Sequence, residues 1–289
     1  MSSALPERPR TIAQALAWAA GLLGQAGPTP RLDAELLLAH ALGWPRARLL
    51  AEGRAPLDAE HLRAFELLVE RRRALEPVAY LTGHKEFFGR DFLVDRRVLV
   101  PRPETELLVE LALVRARRLA ADQQPIVVAD IGAGSGCIAV TLALELPAAE
   151  VLAVDLSPGA LEVARANAER YGVAGQLRLL QGDLLAPLGT PVKLLVSNPP
   201  YTVLAAIDEN VRRHEPRLAL DGGPDGLDLY RRLLADAPAR LRPGGSLLLE
   251  IGADQAAAVA ALARAAFPAG RIGVHRDLAG LDRVITVDT

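Results

Sequence analysis

The chain has 289 residues, 51% of them hydrophobic, enough for a substantial core divided between one large and one small domain. Its formal net charge of −2 gives no global electrostatic case for a nucleic-acid binder. The single cysteine, Cys137, excludes an intramolecular disulfide and agrees with a reducing cytosol, and no apolar run approaches membrane-spanning length.

Met1–Arg10 is polar and carries prolines, without the apolar stretch of a signal peptide, so a soluble, cytoplasmic protein is expected. The first eighty-odd residues read as helices alone. Thr11 is the N-cap of a helix carrying Ile12, Leu16, Ala19 and Leu23 at helical spacing, which Gly27-Pro28 stops. A second helix is predicted from Arg31 to Leu42 with Leu32, Leu36 and Ala39 inward. A third starts at Asp58, turns Leu62, Phe65 and Leu68 or Val69 inward, and ends in Arg71-Arg72-Arg73, where cations suit the helix dipole. That triplet reads as a solvated helix end. With 11 basic and 9 acidic residues, Met1–Lys85 has no nucleic-acid footprint. Residues 1–85 are expected to be a small all-α amino-terminal domain for substrate docking.

Residues 86–100 change to short β-like pieces, Phe87-Phe88, Phe92-Leu93-Val94 and Val98-Leu99-Val100, with turns at Gly89-Arg90 and Asp95-Arg96. They read as a β-hairpin linker. The third region, residues 101–289, opens with a helix from Thr105 to Leu119 and then alternates. Strands are predicted at Ile126–Ile131, Val151–Val154, Leu177–Leu180, Lys193–Val196 and Ser246–Ile251. Helices between them are predicted at Gly136–Leu146, Pro158–Tyr171 and Leu227–Leu241. Such alternation implies an α/β fold with a parallel sheet covered on both faces. Two last strands, Arg271–His275 and Arg283–Val287, are too close for a helical crossover and read as an antiparallel pair closing the sheet.

Chemistry concentrates at the predicted strand ends. Gly132-Ala133-Gly134-Ser135-Gly136 follows the first strand of the alternating region, where glycines permit positive φ and close approach of a ligand to the backbone. Asp155, 23 residues after Gly132, ends the next strand, placed to hold two ribose hydroxyls. A dinucleotide fold shares both features. The spacing here is Gly-x-Gly-x-Gly, however, and Asp130 just before the loop would repel a pyrophosphate while suiting the ammonium of a methionine moiety. Asp183 suits the exocyclic amine of adenine, and Leu184 its ring. The set is read as a site for S-adenosyl-L-methionine. Cys137 reads as a small apolar residue at a helix start.

Asn198-Pro199-Pro200-Tyr201, after the apolar run Val192–Val196, is the most informative stretch. The Asn amide both donates and accepts, the prolines hold the backbone extended, and Tyr201 offers a flat face, a combination suited to chemistry on a planar NH2 group.

Along nearly its whole length the chain resembles the bacterial release factor glutamine methyltransferases. The resemblance rests on Pro77-Val-Ala-Tyr-Leu-Thr-Gly83, Glu86-Phe87 with Gly89, and Val100-Pro-Arg-Pro-Glu-Thr-Glu106. It continues through Asp130–Gly136, Ser197–Tyr201, Glu215-Pro-Arg-Leu-Ala-Leu220, Gly222-Gly223, Glu250-Ile-Gly252 and Asp282-Arg283. The Pro-Arg-Pro-Glu-Thr-Glu block separates it from the relative that methylates a ribosomal-protein glutamine. Asn-Pro-Pro-Tyr alone is shared with adenine-N6 and guanine-N2 nucleic-acid methyltransferases. Leu184 stands where relatives often carry an aromatic residue, and Asp221 where an apolar or aromatic one is common.

The resemblance implies a class I S-adenosylmethionine-dependent methyltransferase: a Rossmann-like, seven-stranded, mostly parallel sheet behind a helical domain and a hairpin. Its substrate would be the glutamine of the Gly-Gly-Gln loop in class I peptide chain release factors, methylated at N5. Gly132, Ala133, Gly134, Ser135, Gly136, Asp155, Asp183, Leu184 and Asn198 would contact the cofactor. Asn198, Pro199, Pro200 and Tyr201 would hold the substrate, with Asn198, Pro199 and Tyr201 in catalytic roles. The Asn198 side-chain oxygen and the Pro199 carbonyl are expected to accept the two N–H bonds of the substrate amide. No metal, direct nucleic-acid partner or membrane is expected. Two rival readings are a nucleic-acid amino methyltransferase, which calls for a basic groove, and a non-catalytic cofactor-binding module.

Overall fold

The computed structural model describes residues 9–119 and 126–289; the polar amino-terminal stretch before residue 9 and residues 120–125 lie outside the described residues. The chain divides into two compact units, Met1–Gly83 and His84–Thr289.

The first unit is built from helices α1 (Ile12–Leu22), α2 (Pro30–Leu42), α3 (Arg46–Ala51), α4 (Ala59–Arg73) and α5 (Val78–Thr82). Thr11 caps α1 as predicted. Its hydroxyl accepts from the Gln14 N–H at 3.3 Å, and the Gln14 side chain accepts from the Thr11 N–H at 3.2 Å. Asp58 accepts from the N–H groups of Glu60 and His61 and so starts α4. Ile12, Leu16, Ala19 and Leu23 meet Leu62, Phe65 and Val69 in one core.

The inward face of α2 differs from the prediction. Ala34, Leu37 and Leu38 are fully buried, whereas Leu32 and Leu36 are each 37% exposed. Leu36-Leu37-Leu38 allows more than one apolar face, and ion pairs decide. Buried Asp33 takes Arg72, and buried Glu35 takes Arg31 and Arg46. The Arg71–Arg73 triplet is therefore not merely a solvated helix end. Arg72 is internal, donating to Asp33 and to the carbonyls of Ala26 and Glu76, while Arg71 pairs with Glu76. Helices α3 and α5, six and five residues long, are too short to register as a period.

The second unit opens with a hairpin, β1 (His84–Phe87) and β2 (Arg90–Leu93). Its turn is Phe88-Gly89, both at positive φ, one residue earlier than predicted. Val98–Val100 is not a strand. Val98 and Val100 are buried, and the Val100 N–H is satisfied by the Glu215 side chain at 3.1 Å. Helix α6 (Thr105–Leu119) runs as predicted.

The remaining strands are β3 (Val127–Ile131), β4 (Glu150–Asp155), β5 (Leu177–Gln181), β6 (Val192–Ser197), β7 (Leu241–Glu250), β8 (Arg271–Arg276) and β9 (Asp282–Asp288). They form one seven-stranded sheet in the order β5-β4-β3-β6-β7-β9-β8. Strands β3 to β7 are mutually parallel, and β9 is antiparallel to both β7 and β8, the closing pair that the short connection demands.

Alternate residues of each strand divide between two cores. Val128, Ala153, Val196 and Leu248 pack with α6 and with α7 (Cys137–Glu145). Ala129, Ile131, Leu195 and Leu249 pack with α10 (Asp228–Arg240) and α11 (Ala256–Ala266). Helix α8 (Pro158–Arg170) joins β4 to β5, and the short α9 (Glu209–His214) follows β6. Helix α11 is nearly all alanine and escaped prediction because its two faces contrast so little. Its Val259, Ala260 and Ala263 are nevertheless buried.

Chain order reverses at β3. The chain runs outward through β4 and β5, then returns to place β6 on the opposite side of β3. That switch point opens a crevice beyond the carboxyl ends of β3 and β6.

Candidate functional site

The glycine loop bends straight out of β3. Gly132, Gly134 and Gly136 have φ of 80°, 54° and 78°, the left-handed region that a glycine enters without a Cβ clash. The N–H groups of Gly132 and Ala133 both donate to the Val154 carbonyl at 2.9 Å, which ties the loop to β4. Gly136 turns away from the crevice. A Cβ there would stand 3.0 Å from that of Ala164, so this glycine is needed for the close approach of α7 to α8.

Asn167 of α8, fully buried, supports the loop from behind. Its Nδ2 donates to the carbonyls of Ser135 and Leu93, and its Oδ1 accepts from the Leu93 N–H at 2.8 Å. One side chain thus links the glycine loop to the hairpin, a role that no sequence motif advertises.

Asp130 is placed differently from expectation. It is fully buried beneath the loop, accepts from the Ala139 N–H of α7 at 3.1 Å, and does not line the crevice. Burial, then the nearby Asp155 charge, raise its carboxyl to about 7. The reason is the pleat: Asp130 points to the α7 side of β3, as Val128 does, rather than out of the strand end.

Asp155 ends β4. One carboxylate oxygen accepts from the Gly134 N–H and the other from the Ser157 N–H, each at 2.8 Å. Burial raises its pKa, against the pull of those bonds. Each oxygen keeps a lone pair for a further donor. Beside it, Leu156 lines the crevice while 48% exposed, an apolar surface that the sequence reading missed. Asp183 and Leu184 follow β5. Leu184 takes φ 47°, a left-handed turn unusual for a non-glycine residue. Both line the crevice, and Asp183 is ion-paired with Arg232.

At the end of β6, Ser197 donates to the Ile131 carbonyl at 2.6 Å, aligning the Asn198 segment with the glycine loop. Asn198 is half-buried in the crevice. Its Nδ2 donates to the Thr105 hydroxyl at 3.1 Å, and its Oδ1 accepts from none of the described residues. Pro200 lines the same space, whereas Pro199 is buried and its side chain is not part of the wall.

Tyr201 does not present a free flat face to the crevice. Its ring packs against the α10–α11 core, and its hydroxyl donates to the buried Glu250 at 3.3 Å. Its backbone is clamped as well. A Cβ on Gly222 would lie 2.8 Å from Tyr201 backbone atoms, and the Gln255 Nε2 donates to the Tyr201 carbonyl at 3.0 Å. Asp221 also gains an account: it accepts from the Gly223 N–H and pairs with Arg217, turning the chain into these glycines.

Together these strand ends enclose a cavity of about 590 Å³. Its wall includes Gly132, Ala133, Gly134, Ser135, Asp155, Asp183, Leu184, Asn198 and Pro200. Gly136, Pro199 and Tyr201 support it from outside. Arg102 and Thr105 also line it. They belong to the Pro-Arg-Pro-Glu-Thr-Glu block, whose sequence carries a family likeness but no readable role. Cys137 lies at the start of α7, its thiol pushed up to about 12 by burial, which agrees with a packing role. Among the described residues no cluster of His, Cys, Asp or Glu can hold a metal ion, and no helix is long and apolar enough to cross a membrane.

Solved structures share the fold. A methyltransferase from Pyrococcus furiosus superposes with a TM-score of 0.54 at 18% identity, over 77% of this chain and 96% of that one. The N-terminal domain of human METTL16 gives 0.51 at 17% identity, over 70% and 76%. This is the class I methyltransferase architecture. Residues 14–83 match the family described as PrmC N-terminal domain, and residues 107–214 the Methyltransferase small domain. Release factor glutamine methyltransferases from three bacteria align over nearly their full lengths. That of Moorella thermoacetica is 48% identical over 94% of this chain and 96% of its own. Those of Geobacter sulfurreducens and Bacillus subtilis are 47% and 42% identical, over 88% and 96% of this chain. With identity of this order along both units and across the crevice residues, the chain belongs to the release factor glutamine methyltransferase family.

Proposed function

We propose that this protein transfers a methyl group from S-adenosyl-L-methionine to the N5 amide nitrogen of the glutamine in the Gly-Gly-Gln motif of class I peptide chain release factors. The observation that carries the reading is Asn198. Its NH2 group is held by Thr105, which leaves Oδ1 as an acceptor in a cavity that also contains the glycine loop and Asp155.

The cavity fits the cofactor. Gly132–Ser135 expose backbone to the crevice, Asp155 keeps lone pairs for two ribose hydroxyls, and Leu156 and Leu184 offer apolar surface to an adenine ring. Bound S-adenosylmethionine supplies an activated methyl sulfonium, so the site needs neither a metal nor a strong base.

The chain's own task is to present a weak nucleophile, since an amide nitrogen's lone pair is delocalised into its carbonyl. Asn198 Oδ1 and the Pro199 carbonyl accept the two amide N–H bonds and favour pyramidal nitrogen with its lone pair toward the methyl. Each such bond contributes about 1–3 kcal/mol when its loss would strand a buried group. Positioning two reactants contributes up to about 7–11 kcal/mol, so orientation outweighs the individual bonds. Tyr201 acts here through its clamped backbone, which sets the direction of the Asn198-Pro199-Pro200 segment.

In this reading residues 1–85 dock the release factor, residues 86–100 link, and residues 101–289 carry out the transfer. The enzyme works in the cytoplasm, without a direct nucleic-acid or membrane partner. The test is to incubate the protein with labelled S-adenosylmethionine and a release factor, and to map the label by mass spectrometry. Label on the Gly-Gly-Gln glutamine is expected. Label on DNA or ribosomal RNA alone, or cofactor binding without turnover on any release factor, would overturn the assignment.

A further inference from the structure

Behind Asn198 lies a buried polar chain that the proposed transfer does not use directly. Thr105, 2% exposed at the first position of α6, accepts the Asn198 Nδ2–H at 3.1 Å. Glu250, at the end of β7, is fully buried. Its Oε1 accepts from the Tyr201 hydroxyl at 3.3 Å, while its Oε2 has no hydrogen-bond partner among the described residues. A carboxylate without a full set of donors in a dry interior is costly, and such a group calls for a reason.

We propose that Glu250 and Thr105 are positioning residues that set which end of the Asn198 amide faces the substrate. This inference rests on the function proposed above.

The logic is one of donors and acceptors. A carboxylate only accepts, and a hydroxyl has one proton. With Glu250 ionised, the Thr105 proton turns toward it and the oxygen's lone pairs face Asn198. Asn198 can meet lone pairs only with its NH2 group, so Oδ1 turns into the cavity, where the amide hydrogens of a glutamine require an acceptor. Protonated Glu250 can itself donate. Thr105 is then released to donate to Asn198, the amide can reverse, and an NH2 group would confront the substrate's own NH2.

The electrostatics of the pocket agree. Burial raises the Glu250 carboxyl to about 7, opposed first by the Thr105 side chain and then by Arg283 and Tyr201, while Glu104 adds to the rise. These groups face Glu250 from the segment before α6, from α6 itself, from the β6 exit and from β9. Tyr230 of α10 donates to the Glu250 backbone carbonyl, and the buried Cys137 of α7 also feels the Glu250 charge. The sign follows: a raised folded pKa protonates Glu250 as pH falls through about 7, so orientation control is present above that pH and lost below it.

The test uses the full chain with labelled S-adenosylmethionine and an intact release factor. Thr105→Val keeps the shape and removes the acceptor. It should lower kcat about 10²-fold through misorientation of one group, with KM changed less than about threefold because the interaction matters in the transition state. Thr105→Ser should restore kcat to within about threefold of wild type. Wild type should lose kcat as pH falls through about 7, whereas Glu250→Gln should be slow and flat with pH. Calorimetric cofactor affinity close to wild type shows that each variant is folded, and the Glu250→Gln profile stands as an independent test should Thr105→Val not fold. Near-normal kcat in both variants, or an acid limb surviving in Glu250→Gln, would overturn the inference while leaving the glutamine methylation intact. Wild-type enzyme that fails to label the release factor would instead remove the underlying function, and this inference with it.

Discussion

The Arg102 guanidinium donates to the Glu215 carboxylate at 2.6 Å, joining residues 113 positions apart. Glu215 is buried and also accepts from the Val100 N–H, whereas Arg102 is partly exposed. The pair pins the Pro101-Arg102 segment to Pro216-Arg217, and all four residues line the cavity. Two stretches with no regular structure of their own are thereby held as one wall.

Removing one partner should therefore matter more than removing both. Arg102→Ala strands a buried carboxylate and is expected to cost about 1–3 kcal/mol. Adding Glu215→Gln deletes the stranded charge and should recover part of the loss, since the two residues are coupled. Denaturant midpoints of the single and double variants check this, and a double variant less stable than Arg102→Ala would contradict it.

Asp155→Ala removes the proposed acceptor for two ribose hydroxyls, each charge-assisted bond contributing about 1.5–3 kcal/mol. Cofactor affinity should fall at least about tenfold, the equivalent of about 1.4 kcal/mol, and the loss should appear in calorimetry before any release factor is added. Asp155→Asn is equally informative. Its NH2 group must oppose either the Gly134 or the Ser157 N–H, so it too should bind weakly. Unchanged affinity in both would exclude Asp155 from the cofactor site.

Asn198→Ala deletes the substrate acceptor but little apolar core. Its kcat should fall about 10²–10³-fold, as for loss of a single preorganised polar group, with cofactor affinity changing far less. Asn198→Asp keeps an acceptor and loses the bond it donates to Thr105, so activity between alanine and wild type is expected. Replacing the glutamine of the Gly-Gly-Gln loop by alanine should abolish label with wild-type enzyme. Label that persists on that substrate would refute the glutamine clamp.

A chain starting at His84 retains every cavity residue and the whole hairpin. It should bind S-adenosylmethionine with unchanged affinity. Its kcat/KM on an intact release factor should fall at least about tenfold, about 1.4 kcal/mol of recognition, if the helical unit docks the substrate. Equal catalytic efficiency would show that unit to have no part in recognition.

Local chemistry made much of this molecule legible. Thr11 and Asp58 cap the helices they were expected to cap, because capping needs only neighbours two or three residues away. Helix α6 has its predicted limits, and the strand-end positions of Asp155, Asp183 and Asn198 follow from period and turn chemistry. Where local contrast is weak, reading fails. The polyalanine α11 was unseen, and the leucine-rich α2 was assigned the wrong face.

By itself the sequence determined the alternating fold, the glycine turn and the residue types that gather at the strand ends, since each depends on backbone conformation and short-range spacing. Tertiary structure alone decided where those side chains point. The pleat of β3 sent Asp130 beneath the loop, and a buried carboxylate 49 residues away drew the Tyr201 hydroxyl out of the cavity. Thr105, 93 residues before Asn198, took its NH2 group and left the oxygen for a substrate. A buried polar group must find its partner wherever the fold supplies one, and no local pattern can name a partner that arrives from another strand or helix.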